Sequence, residues 1–301
     1  MSEQQSRTWL WVLLGCGAFF VLLIAALTLV GLAAGRRNSD FAGFGDKIGV
    51  VDLEGVIIEP QTLVHDLKDF ADDDSIKAII IHINTPGGGA AASQEIYSEV
   101  KRIRDQKKKK IVCSVESVGA SGGYYVASGT EKIYANPASI VGSIGVISQW
   151  LNYEDLLRWA KLKDVTFKAG ALKDTGNPAR EMTPEEKQYF QGLIDDMHQQ
   201  FIKAVADGRK MKVDDVQKIA DGRVWTGQQA LPLKLVDKLG DFELAVEETA
   251  KSVGIHGEPV LVHPEKKKRT LLDVIFGDIS DIVPSQTKLL DTHRGFYYLW
   301  K

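Results

Sequence analysis

Ser121 stands in Val118-Gly119-Ala120-Ser121-Gly122-Gly123-Tyr124-Tyr125, crowded by small residues and followed by an apolar stretch that can start a helix. A serine at such a point sits on a sharp turn, with its hydroxyl free and with backbone N–H groups open to an anion. A nucleophilic serine needs both. Earlier in the chain, Pro86-Gly87-Gly88-Gly89 closes a strongly apolar run and reads as a second glycine-rich turn. Two such turns facing each other can form an oxyanion hole, a pair of amide donors that holds the charge developing in acyl transfer. A serine hydroxyl is a weak nucleophile and needs a base. The six histidines (His65, His82, His198, His256, His263 and His293) are scattered, and none has the setting of a Ser-His-Asp triad. His82 lies in a buried-looking strand and reads as a satisfied core residue.

A frame of alternating strands and helices must position these turns. Ile48–Leu53 reads as a strand, Glu54-Gly55 as a turn and Leu63–Phe70 as a helix. Ala78–Ile83 is a continuous apolar run, the pattern of a strand covered on both faces. Helical spacing follows over Ala91–Arg104, then a solvated basic turn at Lys107–Lys110. Strand, glycine turn and helix repeat through Ile111–Val115, the serine turn and Tyr124–Ser128. Lys132–Tyr134 reads as a short strand, Leu151–Ala160 as a helix, Val165–Phe167 as a strand and Lys168–Asn177 as a loop. Thr183-Pro184-Glu185-Glu186 has the form of a capping box with proline at the first helical position. It opens a helix expected to end near Asp207-Gly208, and Val213–Ala220 reads as another. The alternation predicts an α/β core with a largely parallel sheet.

The chain has 301 residues, 44% of them hydrophobic, enough for a substantial core. Its formal net charge of -3 gives no bulk attraction to nucleic acid. Cys16 and Cys113 lie in unrelated apolar settings, so no disulfide framework is expected. No metal-ligand pattern appears, and no cofactor or metal is expected. Trp9 to Ala34 contains no charged residue. At about 1.5 Å per residue it can cross a hydrocarbon layer of roughly 30 Å as an uncleaved anchor, with tryptophans at one interface and Arg36 and Arg37 at the other. Charge bias alone would leave the remainder of the chain inside the cell. The expected organisation is an N-terminal tail over 1–8, a transmembrane anchor over 9–34, a linker over 35–46, a folded domain over 47–262 and a C-terminal tail over 263–301. That tail carries the charge run Lys266–Arg269 and ends in Phe296-Tyr297-Tyr298-Leu299-Trp300, aromatic residues that need a surface to cover them. Their own domain, a neighbouring subunit or the membrane could provide it; docking on a neighbouring subunit is the hypothesis adopted.

Five motifs occur in a telling order. They are Asn84–Gly89, Gly119–Tyr125, Gly142-Ser143-Ile144-Gly145-Val146, Gly170-Ala171-Leu172-Lys173-Asp174 and Asp221–Gly227. Over about Ile48 to Phe242 the chain resembles the signal peptide peptidase A family, membrane-anchored Ser-Lys peptidases of the Clp protease/crotonase superfold. The resemblance implies a spiral of ββα units. It also implies that Ser121 is the nucleophile, Lys173 the general base, Ser143 a hydroxyl orienting the lysine, and Gly122 with Gly87 or Gly88 the oxyanion donors. A base titrating near neutral pH would need burial that lowers a lysine by about three units. The family further implies a catalytic domain on the outer side of the cell (inner) membrane and a ring or dome of subunits. Its substrates would be apolar peptides such as cleaved signal peptides. Lys234 departs from the pattern, standing where members carry a glycine suited to a left-handed helix end. Two rival readings remain: a crotonase-like acyl-CoA enzyme using the same oxyanion turns, which would have no need of Ser121 with Lys173, and a non-catalytic membrane scaffold of the same fold.

Overall fold

The apolar run predicted at Ala78–Ile83 forms the spine of the sheet. In the computed structural model, which describes residues 46–265 and 297–300, this strand extends over Ile76–Gly89 and is named β2. The other strands are β1 (Lys47–Ile57), β3 (Lys110–Ala120), β4 (Ile133–Ala135), β5 (Ile140–Gly142), β6 (Val224–Thr226), β7 (Lys238–Leu239), β8 (Val260–Val262) and β9 (Tyr297–Leu299). The helices are α1 (Gln61–Asp72), α2 (Ala90–Arg102), α3 (Gly122–Ser128), α4 (Glu154–Trp159), α5 (Pro184–Arg209), α6 (Val213–Gln217), α7 (Gly227–Ala230) and α8 (Phe242–Ser252). Helix α2 continues into a π turn at Ile103–Lys107.

The sheet runs β6-β5-β3-β2-β1-β8, parallel except where β6 joins β5 and β9 joins β2. Alternate residues of β2 supply two cores. Ile79, Ile81 and Ile83 face a large layer with α1, α2, α3 and α5, while Ala78 and Ile80 face a smaller one with Ala245, Val246 and Ala250 of α8. Burial on both faces explains the unbroken apolar run. Strand β3 divides its neighbours: Cys113–Val115 pair with β4, and Val118–Ala120 pair with β5. Strands β2 and β3 stay paired only as far as Thr85 and Gly119. Beyond that point, the last three residues of β2 take β9 as their partner. The candidate chemistry lies at this parting of the sheet.

Several local expectations need correction. Glu54-Gly55 is not a turn between strands but an irregularity inside β1, with Gly55 at φ 68° and a shift in register before Val56. Pro86–Gly89 is likewise extended backbone, because Val56 and Ile57 pair with Gly87 and Gly88 on one side and β9 pairs on the other. Val165–Phe167 forms no strand; Phe167 is 95% exposed, and among the described residues no strand pairs with it to complete a ladder. The long helix runs past Gly208 to Arg209 because Lys210, at φ 54°, supplies the left-handed cap. Within the aromatic terminus, Tyr297–Leu299 form a strand that pairs with Gly87–Gly89 of their own chain. The capping box forms as read: Glu186 N–H donates to Thr183 Oγ1 at 3.2 Å, and Thr183 N–H to Glu186 Oε2 at 2.8 Å. Lys234 adopts φ 60°, the conformation that suits glycine. Cys113 is buried and unpaired. The anchor predicted at Trp9–Ala34 and the run Lys266–Arg269 lie outside the described residues. Among the described residues, no helix is long and apolar enough to cross a membrane.

Candidate active site

Ser121 forms the elbow between β3 and α3. Its backbone has φ 52° and ψ -116°, a conformation seldom adopted by a residue bearing a Cβ. Local bonds hold it there: Ser121 N–H donates to Gly142 O at 2.8 Å, and Tyr125 N–H donates to Ser121 O at 2.8 Å. Strained backbone of this kind persists where its surroundings over-determine it, as at functional sites. The small residues that mark the sequence are spacing devices. A Cβ on Gly123 would lie 2.6 Å from Thr85 Cγ2, and one on Gly119 would lie 3.0 Å from the Val115 methyls. Helix α3 is anchored below by Tyr124, whose hydroxyl donates to Leu235 O at 2.9 Å.

The two glycine segments converge. A Cβ on Gly87 would stand 2.6 Å from Gly122 N, and one on Gly122 would stand 3.1 Å from Gly88 N. The amides of Gly88 and Gly122 therefore border one small cradle beside Ser121. Of the two candidate donors in this segment, Gly87 is already committed, since its N–H donates to Thr85 Oγ1 at 3.0 Å. Thr85 in turn donates to Gly55 O across the irregularity in β1. Thr85 is a buried clamp that the sequence reading missed; its place within Asn84–Gly89 was the available signal.

Ser143 follows β5 as Ser121 follows β3, and the pairing of Ala120 with Gly142 brings the two serines to adjacent strand ends. Ser143 is also at φ 52°, and its N–H donates to Arg223 O at 2.8 Å. Past Ser143 opens a cleft of about 450 Å³ lined by Val146, Ile147, Ile194, His198, Leu299 and Trp300. His198 reaches Ile144 O at 3.2 Å and is not positioned as a base for Ser121.

Lys173 is not in this cluster. It lies on an exposed loop, its N–H donating to Gly170 O at 3.2 Å, and no hydrogen bond joins its side chain to Ser121, which is only 1% exposed. The structure thus gathers Ser121, Ser143, Gly88 and Gly122, with Gly87 bracing them, and leaves Lys173 apart. The Lys173 loop is nevertheless fastened. Arg180 donates from Nε to Asp174 Oδ2 at 3.1 Å and from Nη1 to Glu186 Oε2 at 2.8 Å. The hydrogen bonds from Arg180 hold the Glu186 carboxyl down at about 2. Lys168 pairs with Asp174, and that hydrogen bond is the main reason the Asp174 carboxyl lies below its usual range. The stretch before that loop, from residue 151 to 167, exposes large apolar side chains, including Leu151 at 84% and Trp159 at 82%.

A second clamp was also illegible in sequence. Arg209, nearly fully buried, bonds Asp237 at 2.7 Å and Lys234 O at 3.0 Å, fixing the connection that carries Leu235 under Tyr124.

Comparison with known proteins gives the arrangement a family. Residues 103–256 match Peptidase family S49. A Methanocaldococcus jannaschii protein named "Putative protease MJ0651" is 32% identical over 280 residues, covering 88% of this chain and 89% of its own length. An Enterococcus faecium protein named "Putative signal peptide peptidase SppA" is 31% identical over 283 residues, covering 81% and 80%. "Protease 4" of Salmonella typhi is 32% identical over 219 residues; the match covers 70% of this chain but 35% of that protein. The strand-to-helix elbow, the glycine cradle and the Lys173 loop belong to a mixed α/β chain that is a member of peptidase family S49.

Proposed function

We propose that this peptidase is a serine endopeptidase in which Ser121 is the nucleophile, Lys173 the general base, and the amides of Gly88 and Gly122 the oxyanion donors. The observation that carries the reading is the strained elbow at Ser121 beside two converging amides. In the reaction, Ser121 Oγ attacks a peptide carbonyl carbon while the amine of Lys173 takes the hydroxyl proton. The carbonyl oxygen becomes an anion between Gly88 and Gly122. The lysine then returns the proton to the departing amine, and water hydrolyses the ester by the same route. Ser143, beside Ser121, is suited to orient the lysine.

The dyad is completed between copies of the chain. Lys173 is exposed, the stretch before it from residue 151 to 167 carries uncovered apolar side chains, and among the described residues no base is hydrogen-bonded to the buried Ser121. A head-to-tail contact, closing into a ring or dome, covers that segment and brings one copy's lysine to the next copy's serine. The desolvation that results favours the neutral amine. The spiral of ββα units, the single-pass anchor in the cell membrane, the outward-facing catalytic domain and the use of membrane-borne apolar peptides such as cleaved signal peptides form part of the same proposal. They rest on the family membership and on the uncharged Trp9–Ala34 stretch.

The test is labelling by a serine-reactive fluorophosphonate together with peptide turnover. Wild type is expected to label and to cleave; Ser121→Ala loses both; Lys173→Ala loses turnover and most labelling. Labelling retained in Ser121→Ala, or turnover of acyl thioesters in place of peptides, overturns the proposal.

A further inference from the structure

The loop that carries Lys173 is tied to the start of α5 through one side chain. Arg180 commits every N–H of its guanidinium group. Nε donates to Asp174 Oδ2 at 3.1 Å, Nη1 to Glu181 O at 2.9 Å and Glu186 Oε2 at 2.8 Å, and Nη2 to Asp174 O at 3.3 Å and to Glu186 Oε1. Asp174 adjoins Lys173 in the chain, and Glu186 is half of the capping box that starts α5. The Glu186 side chain is 3% exposed. A carboxylate so buried needs a fixed cation beside it, and Arg180 is that cation.

The charges in this cluster balance. Lys168 Nζ donates to Ala171 O at 2.8 Å and pairs with Asp174, so two cations, Lys168 and Arg180, match two carboxylates, Asp174 and Glu186. Lys168 is thereby spent on the loop, whereas the Lys173 side chain stays exposed with no ion pair to a described residue. The loop backbone is closed around it, Thr175 N–H and Oγ1 both donating to Leu172 O, at 3.2 and 2.8 Å. Glu154, Arg158, Lys161, Lys163 and Asp164 border a hollow of about 770 Å³ beside Asp174 and Arg180. Of these, Glu154 pairs with Arg158 at 2.9 Å, and Asp164 accepts from Asn177 Nδ2 at 3.1 Å. On the serine side, Asp195, His198 and Asp221 border the cleft past Ser143, and Asp221 pairs with Arg223.

We propose that Arg180 is a positioning residue for Lys173: it fixes the base-bearing loop to the start of α5 and, with Lys168, cancels the carboxylate charge beside the base. This rests on the reading of Lys173 as the general base for Ser121. Asp174 holds the loop only while its charge is matched. Left unmatched, that charge favours the ammonium form of the adjoining lysine, which cannot take the serine proton. Arg180 therefore acts on both the place and the charge state of the amine. Glu186 stays ionised without Arg180, because Thr183 N–H and the α5 N-terminus favour its anion. The other charges named are common to every variant below and do not alter the comparison.

The experiment is the pH profile of kcat/KM for a fluorogenic peptide, measured on the full chain. The acid limb of that profile reports the loss of the base to protonation. Arg180→Gln leaves the cluster with a net negative charge, so the limb should move up by about one pH unit. Asp174→Asn leaves it net positive, so the limb should move down by a similar amount. Arg180→Lys keeps the charge and loses the fork, so the limb should stay while plateau kcat falls on the order of tenfold and KM changes less than twofold. Combining Arg180→Gln with Glu186→Gln restores the balance and keeps a residue able to complete the capping box. Its limb should return to the wild-type position while kcat stays low. A merely structural Arg180 moves no limb. Limbs that stay put in Arg180→Gln and Asp174→Asn, or that move the same way in both, overturn the proposal. Should Arg180→Gln fail to fold, Asp174→Asn decides, because it keeps the pair of Arg180 with Glu186; a limb that does not fall overturns the proposal. Lys173→Ala separates the two levels. A Lys173→Ala chain that still cleaves peptide refutes the base, and Arg180's role with it; an inactive one beside unmoved limbs refutes Arg180's role alone.

Discussion

Gly122→Ala isolates the cradle from the fold. The new methyl would stand 3.1 Å from Gly88 N, in the space a carbonyl oxygen needs between the two amides. It would also stand 2.4 Å from Ser93 Oγ, which must swing away and give up its 2.9 Å hydrogen bond to Gly89 O. Losing that bond costs about 1 kcal/mol. Alanine at the first position of α3 returns up to about 1 kcal/mol of helix propensity, so Tm should move by only a few degrees. Catalysis should suffer far more. Loss of one oxyanion donor costs on the order of 10²–10³ in rate, or about 2.7–4 kcal/mol. The assay is hydrolysis of a fluorogenic peptide beside a thermal melt, with Ser93→Ala as the control that loses the same hydroxyl contact and leaves the cradle open. Ser93→Ala should stay within a few-fold of wild type. If Gly122→Ala cleaves peptide as fast as Ser93→Ala, the cradle is not where charge develops.

Three further outcomes follow from the same geometry. Glu186 has its pKa depressed in the fold to about 2 by Arg180, so its contribution is whole above the ordinary glutamate pKa and is lost as pH falls toward 2. Exchange of the 174–187 amides, corrected for intrinsic rates, should therefore rise over that window in wild type and stay flat in Arg180→Ala; identical pH profiles would contradict the clamp. Lys234→Gly relieves a left-handed residue at φ 60° and should stabilise the chain by about 1 kcal/mol, visible as a Tm increase of a few degrees. Burial pushes the Cys113 thiol well up, so peptide mapping after iodoacetamide treatment should find it unmodified in the native chain and alkylated in denaturant.

The elements that sequence made legible are those with a local cause. The isoleucines of β2 announce a strand buried on both faces, and Thr183 with Glu186 announces a helix start, because each pattern is set by near neighbours. The glycine-rich segment around Ser121 was readable as an elbow for the same reason. Pro86–Gly89 misled because its backbone is set by distant partners, Ile57 and Tyr298, which hold extended what looks locally like a turn. Val165–Phe167 misled in the opposite way, having strand-forming residues with no neighbouring strand to pair with. The clamps made by Arg209 with Asp237 and by Arg180 with Asp174 and Glu186 join distant or differently oriented charges, and spacing gives no sign of such pairings. Lys173 is the sharpest case: its proposed role comes from family likeness, and the single chain leaves it outside the cluster around Ser121.

Ser121 and Lys173 are proposed to act together across a contact between copies. Subunit mixing tests this directly. Ser121→Ala and Lys173→Ala chains, each inactive alone, are dissociated, combined in equal amounts and reassembled, and peptide turnover is measured. At a head-to-tail contact about a quarter of the sites would pair an intact serine with an intact lysine, and activity should return to about that fraction of wild type. A mixture that co-assembles, yet stays as inactive as its parents, would contradict the account.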